Sequence, residues 1–299
     1  MKADGQFAKK IETGDFIITA ECAPGATASG AAAEAALKAL GVKPAVVNIA
    51  DNSHGVAISS MAASVAAMKL GAEPVLQMVT RDRNRIALQS DLLGAASLGI
   101  KNVLCLSGYH QTLIGCPESA NVFDVDSTQF IELTARMSEQ GVLADGTRIN
   151  GQFAMLVGAV ANPFLKPIEL NLFRLGKKIV AGAKFIQTHA VFDVKAFSLW
   201  LDAVRKEGFT EKAAILASVY PLESAAEAQK LRETFAEFCI PDVILERLKK
   251  AGQDSRQEGL AICVEIIKQL KTLEGLRGIH ILSGGKEAFV PEIIAAAGL

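Results

Sequence analysis

The chain is short of several things, and each shortage closes off a class of function. It has no basic excess: 31 Lys and Arg stand against 32 Asp and Glu, a formal net charge of −1. A nucleic-acid binder needs surplus cations to displace counterions, so that class is excluded. Cysteine is sparse and scattered. Cys22, Cys105, Cys116, Cys239 and Cys263 are odd in number and never spaced as CxxC, which excludes a disulfide framework and a zinc site. Cys22, Cys105 and Cys263 sit in apolar runs and read as buried small hydrophobes. A reducing, cytoplasmic compartment is expected. No run of about 18 apolar residues occurs, so no membrane insertion is expected. The N-terminal MKADGQFAKKIETGDF is too polar for a signal h-region. Aromatics are only 6% of residues, which suits small side chains packed tightly between helices and a sheet.

Motifs are missing too. APGATASG after the first strand is not GxGxxG, and Ser283-Gly284-Gly285-Lys286 is not a Walker loop. Histidines and carboxylates do not cluster at metal-ligand spacing. No Ser/His/Asp or Cys/His arrangement follows from local context.

What is present is a repeating unit. Half of the 299 residues are hydrophobic and 21% are charged, the composition of a core-forming protein. Short continuous apolar runs fall at Asp15–Cys22, Pro44–Ala50, Glu73–Val79, Val103–Leu106, Gln152–Val160, Lys184–Val191, Ala213–Val219 and Gly278–Leu282. Helical patterns lie between them, with extra helices at Ser224–Phe238, Pro241–Ala251 and Ser255–Leu273 before the last strand, and Glu287–Ala297 after it. Alternating strands and helices require parallel pairing. About eight such units without a linker predict an α/β fold, a single (β/α)8 TIM barrel over residues 1–299. An open doubly wound sheet is the alternative.

Barrel enzymes carry their chemistry at the C-terminal strand ends. Those ends here supply Glu21, Asp51, Gln77 with Arg81 and Asp82, Ser107 with Tyr109 and His110, Asn162, Gln187 with His189, Tyr220, and Ser283 with Lys286. Glu21 lies inside an apolar strand, where burial should raise its pKa and suit it to general-acid work. A structural ion pair with Arg81 or Lys178 is the competing reading. His189 reads as a ligand contact or a hydrogen-bonded core residue, and Tyr109 and His110 occupy a loop placed for ligand contact. His54 and His280 read as structural or solvent-facing. Arg81, Arg83 and Arg85 crowd the start of a helix, where the dipole favours anions. Either carboxylates such as Asp82 and Asp91 absorb them, or an anion docks there; Asp82 or Thr80 is the expected cap.

Several long segments carry a more specific signal: TRDRNRIALQSDLLGAASLGIKNVLCLSG (80–108), NVFDVDSTQFIEL (121–133), ANPF (161–164) and AGAKFIQTHAVFDVKAF (181–197). In these the chain resembles the 5,10-methylenetetrahydrofolate reductase family over essentially its whole length. It is most similar to the short bacterial forms that consist of the catalytic domain alone. The resemblance implies a flavin (FAD or FMN), reduced by a nicotinamide or by a partner that supplies electrons, and a folate substrate. Glu21 aligns with the family's acid at folate N10, and Lys178 with a flavin-phosphate contact. On this resemblance Glu21 and His189 are the catalytic candidates. Glu21, Tyr109, Gln187, His189 and Lys286 are the folate candidates. Asp51, Gln77, Arg81, Ser107, Gly108, Tyr109, His110, Asn162 and Lys178 are the flavin candidates. The chain departs from the family at Tyr109, where aspartate is usual, and at His189, where glutamine is usual. Ala50, Gln77 and Ser107 replace threonine, histidine and arginine, and changes near Gly158 and Asn162 replace a tyrosine and a histidine. The alternative is a folate-binding paralogue without hydride chemistry, serving a methyltransferase or acting as a subunit of a larger redox complex. Homo-oligomerisation is expected.

Overall fold

A computed structural model describes residues 3–41 and 46–299. Eight parallel strands close into a barrel in chain order. They are β1 (Ile17–Cys22), β2 (Val46–Ile49), β3 (Glu73–Val79), β4 (Asn102–Leu106), β5 (Leu156–Ala161), β6 (Phe185–Ala190), β7 (Ala214–Val219) and β8 (Leu276–Ile281). Around them run α1 (Gln6–Thr13), α2 (Gly30–Ala39), α3 (Ser60–Lys69), α4 (Arg85–Ser97), α5 (Ser127–Gln140), α6 (Ile168–Val180) and α7 (Val194–Lys206). Next come α8 (Ala225–Thr234), α9 (Asp242–Ala251), α10 (Ser255–Leu270) and α11 (Phe289–Ala297). The predicted barrel is therefore the observed one. Pro44 and Ala45, at the start of the expected second strand, lie outside the described residues.

Three elements differ from the sequence reading. The polar N-terminal stretch forms α1, whose Phe7 packs on Phe185 with ring centroids 4.7 Å apart and plugs the bottom of the barrel. β5 begins at Leu156 rather than Gln152. The helix expected to reach Phe238 stops at Thr234, so residues 235–241 are free to cross towards the barrel mouth.

Alternation sorts the strand residues into two cores. Ile17, Val46, Val75, Leu104, Leu156 and Phe185 point inward onto Phe7 and form an apolar floor. Ala20, Cys22, Val47, Leu76 and Ile186 point outward into the larger core under the helices. One step above the floor the inward positions turn polar: Thr19, Asn48, Gln77, Gln187 and His280, all buried. Glu21 follows Thr19 on the same face, one layer higher. The register, Thr19 beside His280 and Glu21 beside Asn48, fixes these layers.

The arginine-crowded turn resolves into ion pairs. Arg81 Nε donates to Asp82 Oδ1 at 2.6 Å, Arg83 pairs with Asp51 and Asp91, and Arg85 pairs with Asp124. The helix cap is neither Asp82 nor Thr80. Asn84 Oδ1 accepts from the amides of Ile86 and Ala87.

Close packing sets one clear mutational expectation. A Cβ added at Gly259 in α10 would sit 1.7 Å from the Leu222 carbonyl oxygen, so helix and loop must separate. Gly259→Ala should lose about 1–3 kcal/mol, the usual cost of overpacking, read as a lowered denaturant midpoint. An unchanged midpoint would mean that α10 shifts freely.

Candidate active site

The C-terminal ends of the strands surround a cavity of about 330 Å³. Glu21, Asp51, Gln77, Arg81, Ser107, Gly108, Tyr109, Lys178, Gln187 and His189 all line it. Barrel closure thus gathers side chains that are far apart in the chain.

Glu21 lies within this ring and is 8% exposed. Burial pushes its pKa up to about 7, against the pull of hydrogen bonds from Gln77 and the Gly284 backbone. Neither Arg81 nor Lys178 pairs with it. Arg81 spends its guanidinium on Asp82 and on the carbonyls of Tyr109 and Asn52. Lys178 Nζ donates to the Val160 carbonyl at 2.7 Å, and burial lowers its pKa. The ion-pair reading of Glu21 is therefore replaced by that of an acid that still holds its proton about half of the time near neutral pH.

Below Glu21 the polar layer is internally satisfied. Asn48 Nδ2 donates to Gln187 Oε1 at 2.8 Å, and Gln187 Nε2 donates to Asn48 Oδ1 at 3.1 Å and to Thr19 Oγ1 at 3.3 Å. Thr19 Oγ1 bonds His280 Nδ1 at 2.8 Å. His280 belongs to this layer and lines the cavity, so of its two readings the structural one holds, with a place beneath the site that the sequence reading did not give it. Burial pushes its pKa down to about 3 and keeps it neutral. Its inward position in GIHIL was available from the alternation of β8.

Above, residues 235–238 cover part of the opening. Tyr109 Oη donates to Glu237 Oε1, and the same oxygen is 3.9 Å from His189 Nδ1. Tyr109 packs on Phe235 with centroids 4.9 Å apart, and Phe238 meets Tyr220 edge-on at 5.5 Å. The sequence offered no sign of Glu237, because it comes from a connection between helices rather than from a strand end.

Three candidates stand outside the cavity. Asn162 turns its Oδ1 to the Phe164 amide, and its carbonyl accepts from Asn171, so it shapes the turn after β5. His110 is exposed and bonds Thr112. Lys286 Nζ is held by Glu227 Oε1 at 2.6 Å and by the Pro221 carbonyl at 2.8 Å, over the Tyr220 ring. Asp51 lines the cavity, but its carboxylate is committed to Arg83, the Val79 amide and Ser60. Gly108 is required by geometry. Its φ is +84°, and a Cβ there would press on Val79 and Arg81 at 3.1–3.2 Å.

Among the described residues, no group of three or more His, Cys, Asp or Glu is placed to hold a metal ion. Nor is any helix among them long and apolar enough to cross a membrane. Burial pushes the Cys105 and Cys263 thiols up to about 12, as expected of inert core cysteines.

A family model described as methylenetetrahydrofolate reductase matches residues 6–298. Methylenetetrahydrofolate reductase 1 of Schizosaccharomyces pombe is 25% identical over 217 residues, 71% of this chain and 33% of that protein. A probable methylenetetrahydrofolate reductase (NADPH) of Caenorhabditis elegans is 23% identical over 143 residues, 47% of this chain and 21% of that one. The matched regions thus span a third or less of these relatives. An uncharacterized protein from Clostridium thermocellum that binds two copies of 5-methyl-5,6,7,8-tetrahydrofolic acid superposes with a TM-score of 0.67. That match covers 97% of each chain at 14% identity. An F420-dependent secondary alcohol dehydrogenase superposes with a TM-score of 0.52 at 13% identity, covering 95% of this chain and 99% of that one. At such identities the structural likeness is one of fold.

Proposed function

The chain belongs to the methylenetetrahydrofolate reductase family, and from that premise we propose that its barrel mouth binds a reduced one-carbon folate and reduces 5,10-methylenetetrahydrofolate to 5-methyltetrahydrofolate. The observation that carries this reading is Glu21, a buried carboxyl group with no cationic partner among the described residues and a pKa of about 7. The chemistry needs such a group. Glu21 gives its proton to folate N10 as the bond from N10 to the bridging methylene breaks. The electron pair of that bond stays on N10, and the carbon becomes an iminium at N5. The carboxylate left behind faces this cation across a buried site, where opposite charges attract more strongly than in water. Hydride addition to the iminium carbon then gives the methyl group.

The donor set fits a flavin. Lys178 lines the cavity and donates to the Val160 carbonyl, which leaves further N–H donors of its ammonium for a phosphate, with Ser127 alongside. Gln77, Ser107 and Gly108 border the space for a ring. A bound flavin would supply the hydride.

The test is ligand uptake by the purified protein. Saturable binding of 5-methyltetrahydrofolate is expected, together with uptake of FAD or FMN seen as a visible band near ~450 nm, a property of the chromophore. A protein that binds no reduced folate overturns the reading. One that binds folate but takes up neither flavin loses the hydride route and becomes a folate-binding paralogue.

A further inference from the structure

Tyr109 and His189, two strand-end side chains that line the cavity, converge on one side chain. That side chain is Glu237, in the crossing segment between α8 and α9. Its carboxylate is largely buried, at 13% exposed. Tyr109 Oη donates its single proton to Glu237 Oε1, so the remaining lone pairs of the phenol oxygen can only accept. The His189 ring is held mostly neutral by burial, with Lys178 also opposing its protonation. Its Nδ1 lies 3.9 Å from the same Glu237 oxygen, an attraction that favours the tautomer with hydrogen on Nδ1. Nε2 is then an acceptor as well. Tyr109 and His189 both line the cavity, whereas Glu237 sits behind them.

We propose that Glu237 is a positioning residue for folate recognition: it fixes Tyr109 and His189 as a pair of acceptors for the N–H and amino donors on the pyrimidine edge of a reduced pterin. The inference rests on the folate reading above. Pterins carry adjacent donors on that edge, and no free carboxylate at position 109 is left to receive them. Two neutral acceptors polarised by one buried carboxylate supply the complementary pattern. The clasp also ties residues 235–238 to the barrel, through Phe235 against Tyr109.

The experiment is titration of 5-methyltetrahydrofolate into the wild-type protein and four variants, with 15N NMR of the His189 ring. Glu237→Gln keeps the shape but offers an amide to His189 and should move its proton to Nε2. Loss of one charge-linked hydrogen bond should weaken binding about tenfold or more. Tyr109→Phe should weaken it similarly. Glu237→Ala should also bind poorly, and adding Tyr109→Asp to it should recover most of the affinity, because the carboxylate then reaches the ligand directly. A merely structural role for Glu237 predicts neither the tautomer change nor this recovery. Wild-type binding with an unaffected Glu237→Gln overturns the inference alone, as does a double variant that binds no better than Glu237→Ala. Failure of the wild type to bind the folate overturns the functional reading and this inference together.

Discussion

Glu21→Gln should lower the rate of 5,10-methylenetetrahydrofolate reduction by roughly 10²–10⁴-fold, the usual contribution of a positioned general acid. Glutamine keeps the size and hydrogen-bonding capacity of the side chain but has no proton to give at neutral pH. Folate binding and flavin uptake should survive, which separates lost chemistry from lost structure. The same substitution should change stability with a definite sign. Burial raises the native pKa of Glu21 from 4.5 to about 7. The folded state therefore holds this proton after the unfolded chain has released it, so Glu21 costs progressively more stability as pH rises between those values. Above the native pKa the full penalty is about 3 kcal/mol, from the size of the shift. Glu21→Gln should thus be more stable than wild type at alkaline pH, and the difference should shrink towards acid pH. Urea midpoints measured across pH check this. A variant that is less stable at every pH would mean that the charged carboxylate is well solvated or paired.

Asp51→Ala should be among the most destabilising single substitutions at the site, at about 3–5 kcal/mol, the cost of leaving one half of a buried ion pair. Asp51 Oδ2 accepts from Arg83 Nη1 at 2.6 Å and from the Val79 amide at 3.0 Å, and Oδ1 accepts from Arg83 Nη2 at 3.3 Å. Alanine orphans the Val79 amide at the end of β3 and leaves Arg83 with Asp91 alone. Asp51 was expected to touch a cofactor. Its bonding makes it a brace between β2, β3 and the turn before α4. Chemical denaturation with ligand binding in parallel distinguishes the two roles. A large loss of stability supports the brace, and unchanged stability with lost flavin binding would restore the ligand role.

The barrel was legible because eight apolar runs with intervening helices admit little else, and a barrel converts chain order into a ring of strand ends. That conversion is why Glu21, Gln77, Tyr109, Gln187 and His189 could be placed around one cavity in advance. The partners of charged groups were legible only where they lay close in sequence, as Asp82 beside Arg81 and Asp91 beside Arg83. Asp124, which absorbs Arg85, and Glu237, which holds Tyr109, come from connections whose paths no periodicity reports. His280 was read as structural or solvent-facing, although two-residue alternation in β8 sets it on the inward face with Thr19 as its register neighbour. Asn162 and Lys286 were placed in the site by position. A local bond to Phe164 turns Asn162 away, and bonds to Glu227 and Pro221 turn Lys286 away. Helix α1 was missed because its inward residues, Phe7 and Ala8, are set in a polar stretch.

The central claim is that a reduced folate lies over an uncharged Glu21. Its most direct test is the rate of 5,10-methylenetetrahydrofolate reduction from about pH 6 to about pH 9, with the flavin reduced beforehand so that electron supply does not limit. The wild-type rate should fall above pH about 7, where Glu21 loses its proton, and Glu21→Gln should be slow and flat throughout. A wild-type rate that holds steady to alkaline pH, or a Glu21→Gln variant as fast as wild type, would contradict it.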